Sequence, residues 1–316
     1  MSPSESETPT SQHRIAVTGK RQRLDRWLCQ HFPAVPRSRL LKLLRKGQIR
    51  VGERRASPQT RVAAGDTVAV PALLQEQYWP AEQAQQSGDP QALHAAILHR
   101  EAELLALNKP AGLAVQGGKT LDRHLAAQLP ALQGSDPKPP RLVHRLDKAT
   151  SGVLLLARTA GMADWLIRAF QQRRVAKTYW ALVYPTPEPR RGTIRAPLAK
   201  GPAGKMQVAP RDGDAAVTHY RVLSATPQGR AWVELQPTTG RTHQLRVHLA
   251  HAGTPVIGDR KYGDPAVAAP QLMFHARQIA WPQRDRDAWQ TVTAPPPEPF
   301  ERWLAPLRAE DTARAR

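Results

Sequence analysis

Residues 72–90, ALLQEQYWPAEQAQQSGDP, hold five glutamines and two prolines but no basic residue. A shift of composition like this marks a linker, and it constrains the fold more than any single motif. The chain on each side has to bury a core of its own. The segment before the linker is small, whereas residues 91–316 have room for an ordinary domain. The small segment is also lopsided in charge. Residues 11–71 carry fourteen Lys/Arg against Asp25, Glu53 and Asp66, a local balance of +11. The whole chain has a formal net charge of +20, so more than half of it lies in about a fifth of the length. Such a surface attracts polyanions, either nucleic acid or anionic lipid. No run approaches the roughly 18 consecutive apolar residues of a membrane span. The opening MSPSESETPT has neither the basic nor the apolar region of a secretory signal. The single cysteine, Cys29, is incompatible with a disulfide framework or a Cys-rich zinc site. A cytoplasmic polyanion binder is the expectation.

Residues 1–20 read as a disordered tail and 21–71 as a folded module. Leu24, Trp27, Leu28 and Phe32 fall at helical spacing, and Pro33 and Pro36 end that helix. Ser38 is the expected N-cap of a second helix over 39–46. That helix turns Leu40, Leu41, Leu43 and Leu44 inward and Arg39, Lys42, Arg45 and Lys46 outward, with Gly47 as its C′ residue. QIRV and the segment 61–70 read as strands, with turns at Gly52-Glu53 and Gly65-Asp66. A row of helix cations is usually a solvated face. The density of charge here favours a phosphate-binding one.

After the linker, residues 91–307 read as one domain and 308–316 as a flexible tail. Val153–Ala157 is an apolar run suited to a buried strand. Residues 178–184 and 231–235 read as further strands. THQLRVHLAHAG has helical periodicity and ends at Gly253, and 299–307 reads as a closing helix after Pro295–Pro297. Strands outnumber helices without a regular βαβ alternation. The predicted class is α+β, with a mixed, largely antiparallel sheet.

Several apparent motifs fail on spacing. GGKT at 117–120 would need a glycine where Leu113 stands to form a phosphate loop. His243, His248 and His251 are not arranged as H-E-x-x-H, and nothing completes a metal set, so no metal site is expected. His144-Arg145-Leu146-Asp147 lacks the order and the companion motifs of a kinase catalytic loop. Three segments remain. Asp147 is a lone carboxylate between Arg145 and Lys148, just before the buried strand; a carboxylate held among cations suits a nucleophile or base, although a surface ion pair is the plainer alternative. Tyr179 at a strand edge offers an aromatic face and a phenol, or is a core aromatic. Arg241 and Arg246 bracket a helix start, where they can pair with Asp147, clamp phosphates or face solvent.

In order along the chain, LNKPAGLAV (107–115), HRLDKATSGVLLLAR (144–158), KTYWALV (177–183) and GRTHQLRVHLAHAGTPVIGDRKYG (240–263) resemble the RluA-type family of pseudouridine synthases. RLDRWL, VPRSRLLKLLRKGQIRVG and AGDTVAV resemble the RNA-binding domain of the ribosomal protein S4 type. Together they match the family branch that modifies large-subunit ribosomal RNA. The resemblance implies the pseudouridine synthase fold behind an S4-type domain, isomerisation of uridine in large-subunit (23S) rRNA and no cofactor; a monomer is expected because nothing in the sequence points to an obligate interface. It implies that Asp147 is the catalytic nucleophile, attacking at the sugar C1′ or at the base C6. Arg145 would take the place of the flipped nucleotide. Tyr179 would pack on the base and help remove the C5 proton, and Arg246 would ion-pair with Asp147. Arg145, Lys148, Arg241 and Arg246 are expected to surround the carboxylate, and Arg39, Lys42, Arg45 and Lys46 to sit on RNA phosphates. One position departs from the pattern: Ala149 stands where many members carry an acid.

Overall fold

The computed structural model describes residues 12–18, 20–32, 37–71, 90–117, 124–133, 138–201, 204–267, 269–284 and 287–314. The chain divides into two units, Met1–Glu82 and Gln83–Arg316. The expected linker lies outside the described residues, apart from Pro90.

In the first unit, helices α1 (Leu24–His31) and α2 (Arg37–Arg45) carry the apolar stripe that their spacing predicts. Leu24, Leu28, Phe32, Leu40 and Leu44 are buried together with Ile49, Val62, Val68 and Val70. Strand β1 (Gln12–Ala16) is followed by β2 (Gln22–Arg23), β3 (Arg50–Val51), β4 (Arg54–Arg55), β5 (Arg61–Val62) and β6 (Thr67–Pro71). They form a sheet ordered β1-β6-β3-β4 and a separate β2-β5 pair. Gly47, at φ +69°, ends the helical region as expected: its N–H reaches the Leu44 carbonyl at 2.9 Å, and Gln48 N–H reaches that of Leu43 at 3.0 Å.

Two expectations change. The module starts before residue 21, because β1 covers the edge of β6 and sends Ile15 and Val17 into the core. Two apolar residues among polar ones were too short a pattern to read as a strand. The second helix starts at Arg37, which puts Ser38 inside its first turn rather than at the N-cap. Lys42, Arg45 and Lys46 are exposed; the side chain of Arg39 lies outside the described residues.

The second unit is built on one large sheet. Its strands are β7 (Ile97–Arg100), β8 (Leu104–Lys109), β9 (Arg141–Leu142), β10 (Ser151–Ala157), β11 (Ala176–Val183), β12 (Arg191–Arg195), β15 (Val217–Ala225), β16 (Ala231–Pro237), β17 (Phe274–Pro282) and β18 (Trp289–Thr293). The order is β12-β15-β16-β11-β17-β10-β8-β7, with β9 on β10 and β18 on β17. Among the named strands of the described residues, only β10 and β17 pair in parallel. Strands β13 (Leu198–Lys200) and β14 (Met206–Val208) form a separate hairpin. The helices are α3 (Pro90–Ala95), α4 (Leu125–Gln128), α5 (Ala160–Gln171), α6 (Gln244–His251) and α7 (Glu298–Arg314).

Every residue of β10 is buried, which is why it reads as a continuous apolar run. Val153, Leu155 and Ala157 pack on the side of α5, while Leu154 and Leu156 pack with Leu125, Leu129 and Leu146. Gly152, at φ +113°, allows the parallel neighbour to approach: a Cβ there would lie 2.1 Å from the Ala276 carbonyl oxygen. Phe300, Leu304 and Leu307 of α7 enter the core shared by β11, β15, β16 and α6. The helix runs on to Arg314, so the tail expected from 308 is helical for most of its length. Its apolar periodicity stops at Leu307, but the alanine- and charge-rich residues beyond still propagate a helix. No helix among the described residues is long and apolar enough to cross a membrane.

Candidate active site

The loop before β10 is pinned from both sides. His144 Nε2 accepts the Leu155 N–H at 2.8 Å, so that nitrogen carries no proton. The ring stacks on Phe170 with centroids 4.6 Å apart. Burial, with Lys177 nearby, pushes His144 down to about 3 and makes it a neutral peg. Leu146 then enters the core, while Arg145 and Asp147 on either side of it face a cleft of about 1010 Å³. Behind the loop, buried Lys109 donates to the carbonyls of Pro110 (2.8 Å), Leu113 (2.9 Å) and Lys148 (3.3 Å). Gly112 N–H reaches the same Lys148 carbonyl at 2.8 Å. Burial pushes the Lys109 ammonium down to about 7, against the pull of Asp147.

Asp147 Oδ2 lies 3.1 Å from Arg246 Nη1 and 3.6 Å from His243 Nε2. Arg246 is itself held by Asp259: Nε reaches Oδ2 at 2.7 Å and Nη2 reaches Oδ1 at 2.8 Å. This fork fixes the guanidinium plane and leaves its third nitrogen for Asp147. Asp259 also accepts the N–H groups of Lys261 (2.9 Å) and Tyr262 (3.1 Å). Burial alone would raise the Asp259 carboxyl, but Arg246 and the two amides outweigh it and hold it below the usual value. The preceding Gly258, at φ +76°, lets this turn close, since a Cβ would lie 2.1 Å from the Gln271 carbonyl oxygen.

Arg246 is aimed by the way α6 is anchored. Gln244 Oε1 accepts from Thr239 Oγ1 (2.7 Å) and Arg241 N–H (3.0 Å), and its Nε2 donates to Val217 O (3.0 Å) and Thr218 Oγ1 (3.1 Å). Every hydrogen-bonding position of that buried amide is used. Thr218 in turn donates to His248 Nδ1 at 2.8 Å, and His248 Nε2 donates to Ala196 O at 3.0 Å. His248 is therefore structural.

Of the residues expected to form the site, Arg145, Asp147, Tyr179, Arg241 and Arg246 all line the one cleft. Tyr179 stacks on Phe274 with centroids 5.4 Å apart and planes 13° apart. Burial and the charge of Asp147 push its phenol pKa up. Of the four cations expected around Asp147, only Arg246 contacts its carboxylate among the described residues. Arg241 pairs with Asp214 at 3.3 Å, because its Nε is drawn to the Ala215 carbonyl. Lys148 is exposed and makes no ion pair with Asp147 among the described residues; the turn from Asp147 to Thr150 carries its side chain to solvent, and only its carbonyl serves the loop. Ala149 packs against the apolar cluster that includes α6 and α7. Lys42, Arg45 and Lys46 belong to the other unit.

Sequence reasoning missed Lys109, His243 and Asp259. Asp259, followed by Arg260 and Lys261, looks like a surface carboxylate; its signal is the glycine before it. Lys109 was detectable as a lysine closing an apolar strand, LLALNK. Among the described residues, no group of three or more His, Cys, Asp or Glu is placed to hold a metal ion.

Residues 103–251 match the family model described as RNA pseudouridylate synthase, and residues 22–68 match the S4 domain. The chain is 32% identical to ribosomal large subunit pseudouridine synthase C of Vibrio vulnificus, covering 91% of this chain and 93% of the relative. It is 33% identical to the protein of the same name from Rickettsia prowazekii over 81% of this chain and 88% of the relative. The structure of human RNA pseudouridylate synthase domain containing 4 superposes with a TM-score of 0.60 at 34% identity, covering 72% of this chain and 98% of that one. With an S4 domain in front and a catalytic unit whose cleft is lined by the matched segments, the chain belongs to the RNA pseudouridine synthase family.

Proposed function

We propose that this enzyme converts specific uridines of large-subunit (23S) rRNA to pseudouridine, with Asp147 as the nucleophile acting on a flipped-out nucleotide. The observation that carries this reading is the Asp147 carboxylate, set at the cleft wall by an arginine that a second, buried carboxylate holds in place. A protein that only bound RNA would gain nothing from a carboxylate facing phosphates. In the reaction the N1–C1′ bond breaks, a C5–C1′ bond forms, C5 loses a proton and N1 gains one. Nothing is oxidised or hydrolysed.

Each residue has a part in that scheme. Arg145, exposed on the cleft, fills the gap left by the extruded nucleotide and offsets part of the unstacking cost, about a few kcal/mol. Tyr179, flat against Phe274, offers its open face to the uracil and its hydroxyl to the C5 proton. Arg241 and Lys148 meet flanking phosphates. The exposed cations Lys42, Arg45 and Lys46, with Arg39 beside them in sequence, anchor structured RNA through its backbone. Two relatives named for the large ribosomal subunit support the choice of rRNA. That substrate places the enzyme in the cytoplasm, where it works as a monomer.

The decisive experiment is Asp147→Asn. Pseudouridine formation should fall on the order of 10³-fold or more while RNA affinity is kept. Unaltered turnover would overturn the reading. Mapping pseudouridines in 23S rRNA from a strain lacking the gene identifies the uridines.

A further inference from the structure

We propose that His243 is a positioning residue for Asp147, that Tyr262 fixes its tautomer, and that His243 and Arg246 together tie down Oδ2 so that Oδ1 is the attacking oxygen. The inference rests on Asp147 being the nucleophile.

It begins with the two contacts on the carboxylate. Arg246 Nη1 bonds Oδ2 at 3.1 Å, and His243 Nε2 stands 3.6 Å from the same oxygen, just outside hydrogen-bond range and a few tenths of an ångström from closing on it. Among the described residues, Oδ1 has no partner. His243 occupies the residue just before α6 with φ +53° and ψ +16°, a left-handed conformation that a side chain resists unless its surroundings hold it. Here the holding group is Tyr262, whose hydroxyl is 2.7 Å from His243 Nδ1.

We assign Tyr262 as the donor of that bond. The Tyr262 oxygen already accepts the Met206 N–H of β14 at 3.2 Å. Among the described residues, the acceptor in reach of its single proton is His243 Nδ1. The imidazole proton is consequently on Nε2, facing Asp147. The Tyr262 ring is held in turn by cations: the Lys205, Arg246 and Lys261 side chains lie 5.3, 5.2 and 5.7 Å from its centroid. Burial disfavours the imidazolium of His243; Asp147 and Asp259 favour it, Arg246 and Lys261 oppose it, and the balance lowers its pKa. A neutral donor can orient the carboxylate without neutralising it.

The electron count fits this arrangement. An Oδ1 lone pair forms the new C–O bond. On the sugar route the N1–C1′ pair leaves with the uracil; on the base route the C5–C6 π pair shifts towards C5. Either way Oδ2 becomes an ester carbonyl and keeps both donors, so they need not move when the adduct forms or when Oδ1 leaves with its pair.

The test is single-turnover pseudouridine formation and RNA binding, measured beside wild type and Asp147→Asn. His243→Ala and His243→Asn should slow the chemical step on the order of 10- to 100-fold without changing RNA affinity. His243→Gln places an amide N–H where Nε2–H was and should recover most of the rate. Tyr262→Phe should slow the His243 enzyme but have no further effect on the His243→Gln enzyme, which needs no tautomer set. Equal loss in the Ala and Gln variants, loss confined to RNA affinity, or an additive Tyr262→Phe effect would each overturn the proposal. An inert Asp147→Asn beside fully active His243 variants would remove this inference alone, whereas an active Asp147→Asn would remove the nucleophile reading as well.

Discussion

Two sets of cations, one in each unit, are used in opposite ways. In the first, Lys42, Arg45 and Lys46 stand in solvent and, among the described residues, none of them is ion-paired. In the second, Arg246 and Lys109 are buried and each makes three hydrogen bonds to fixed acceptors. Solvated cations cost nothing to keep charged and exchange counterions for phosphates, so they contribute affinity that salt can erase. Buried ones are expensive and stay only where partners are fixed, so they contribute geometry that salt scarcely touches. On the proposed reading, the same side-chain type gathers RNA in one unit, while in the other it aims a carboxylate.

Substitutions can break that contrast. The largest effect is expected at Asp259. Replacing it with alanine leaves Arg246 buried without its fork, which should destabilise the catalytic unit by about 3–5 kcal/mol. It should also lower the single-turnover rate on the order of 100-fold through a misplaced Asp147. Denaturant unfolding and rapid-quench assays would read the two losses, and a fully active, fully stable variant would show that Asp259 does not hold Arg246.

A smaller and different effect is expected in the first unit. Changing Lys42, Arg45 and Lys46 together to alanine should reduce the slope of log affinity against log salt by about 2 to 3. The rate for bound RNA should stay the same. A changed rate with an unchanged slope would mean that these cations do not meet phosphates.

The smallest effect sharpens the comparison through pH. Lys109 is pushed down to about 7 from the ordinary 10.5. Between those values the unfolded chain binds the proton and the folded one does not, so stability rises with pH across that window and the penalty is largest below about 7. Lys109→Met should flatten this rise, as measured by urea unfolding at pH 7 and 10. An identical rise in both proteins would mean that Lys109 keeps its ordinary pKa.

Much of this was legible before any coordinates. The division into two units, the helix of cations, the doubly buried strand at 153–157 and the helix ending at Gly253 all follow from local pattern. Local pattern also has limits, visible at both ends. Strand β1 was read as part of a tail because Ile15 and Val17 gain their meaning only by pairing with β6, more than fifty residues later. Helix α7 was cut short because its last turns carry no apolar stripe.

Site residues divide along the same line. Arg145, Asp147, Tyr179, Arg241 and Arg246 stood out because they lie in motifs, and they do share one cleft. Which cation serves Asp147 could not be read from spacing: Lys148, its neighbour in sequence, turns away, whereas Arg246, ninety-nine residues on, is the one that reaches it. The amino-acid sequence by itself determined the inventory: two units, a basic module, some of the strands and helices, and a lone carboxylate in a distinctive loop. Only the tertiary structure decided the pairing. Periodicity and composition act between near neighbours, but the Asp147–Arg246–Asp259 arrangement and the Met206–Tyr262–His243 chain exist because sheet and loops bring distant residues within hydrogen-bond range.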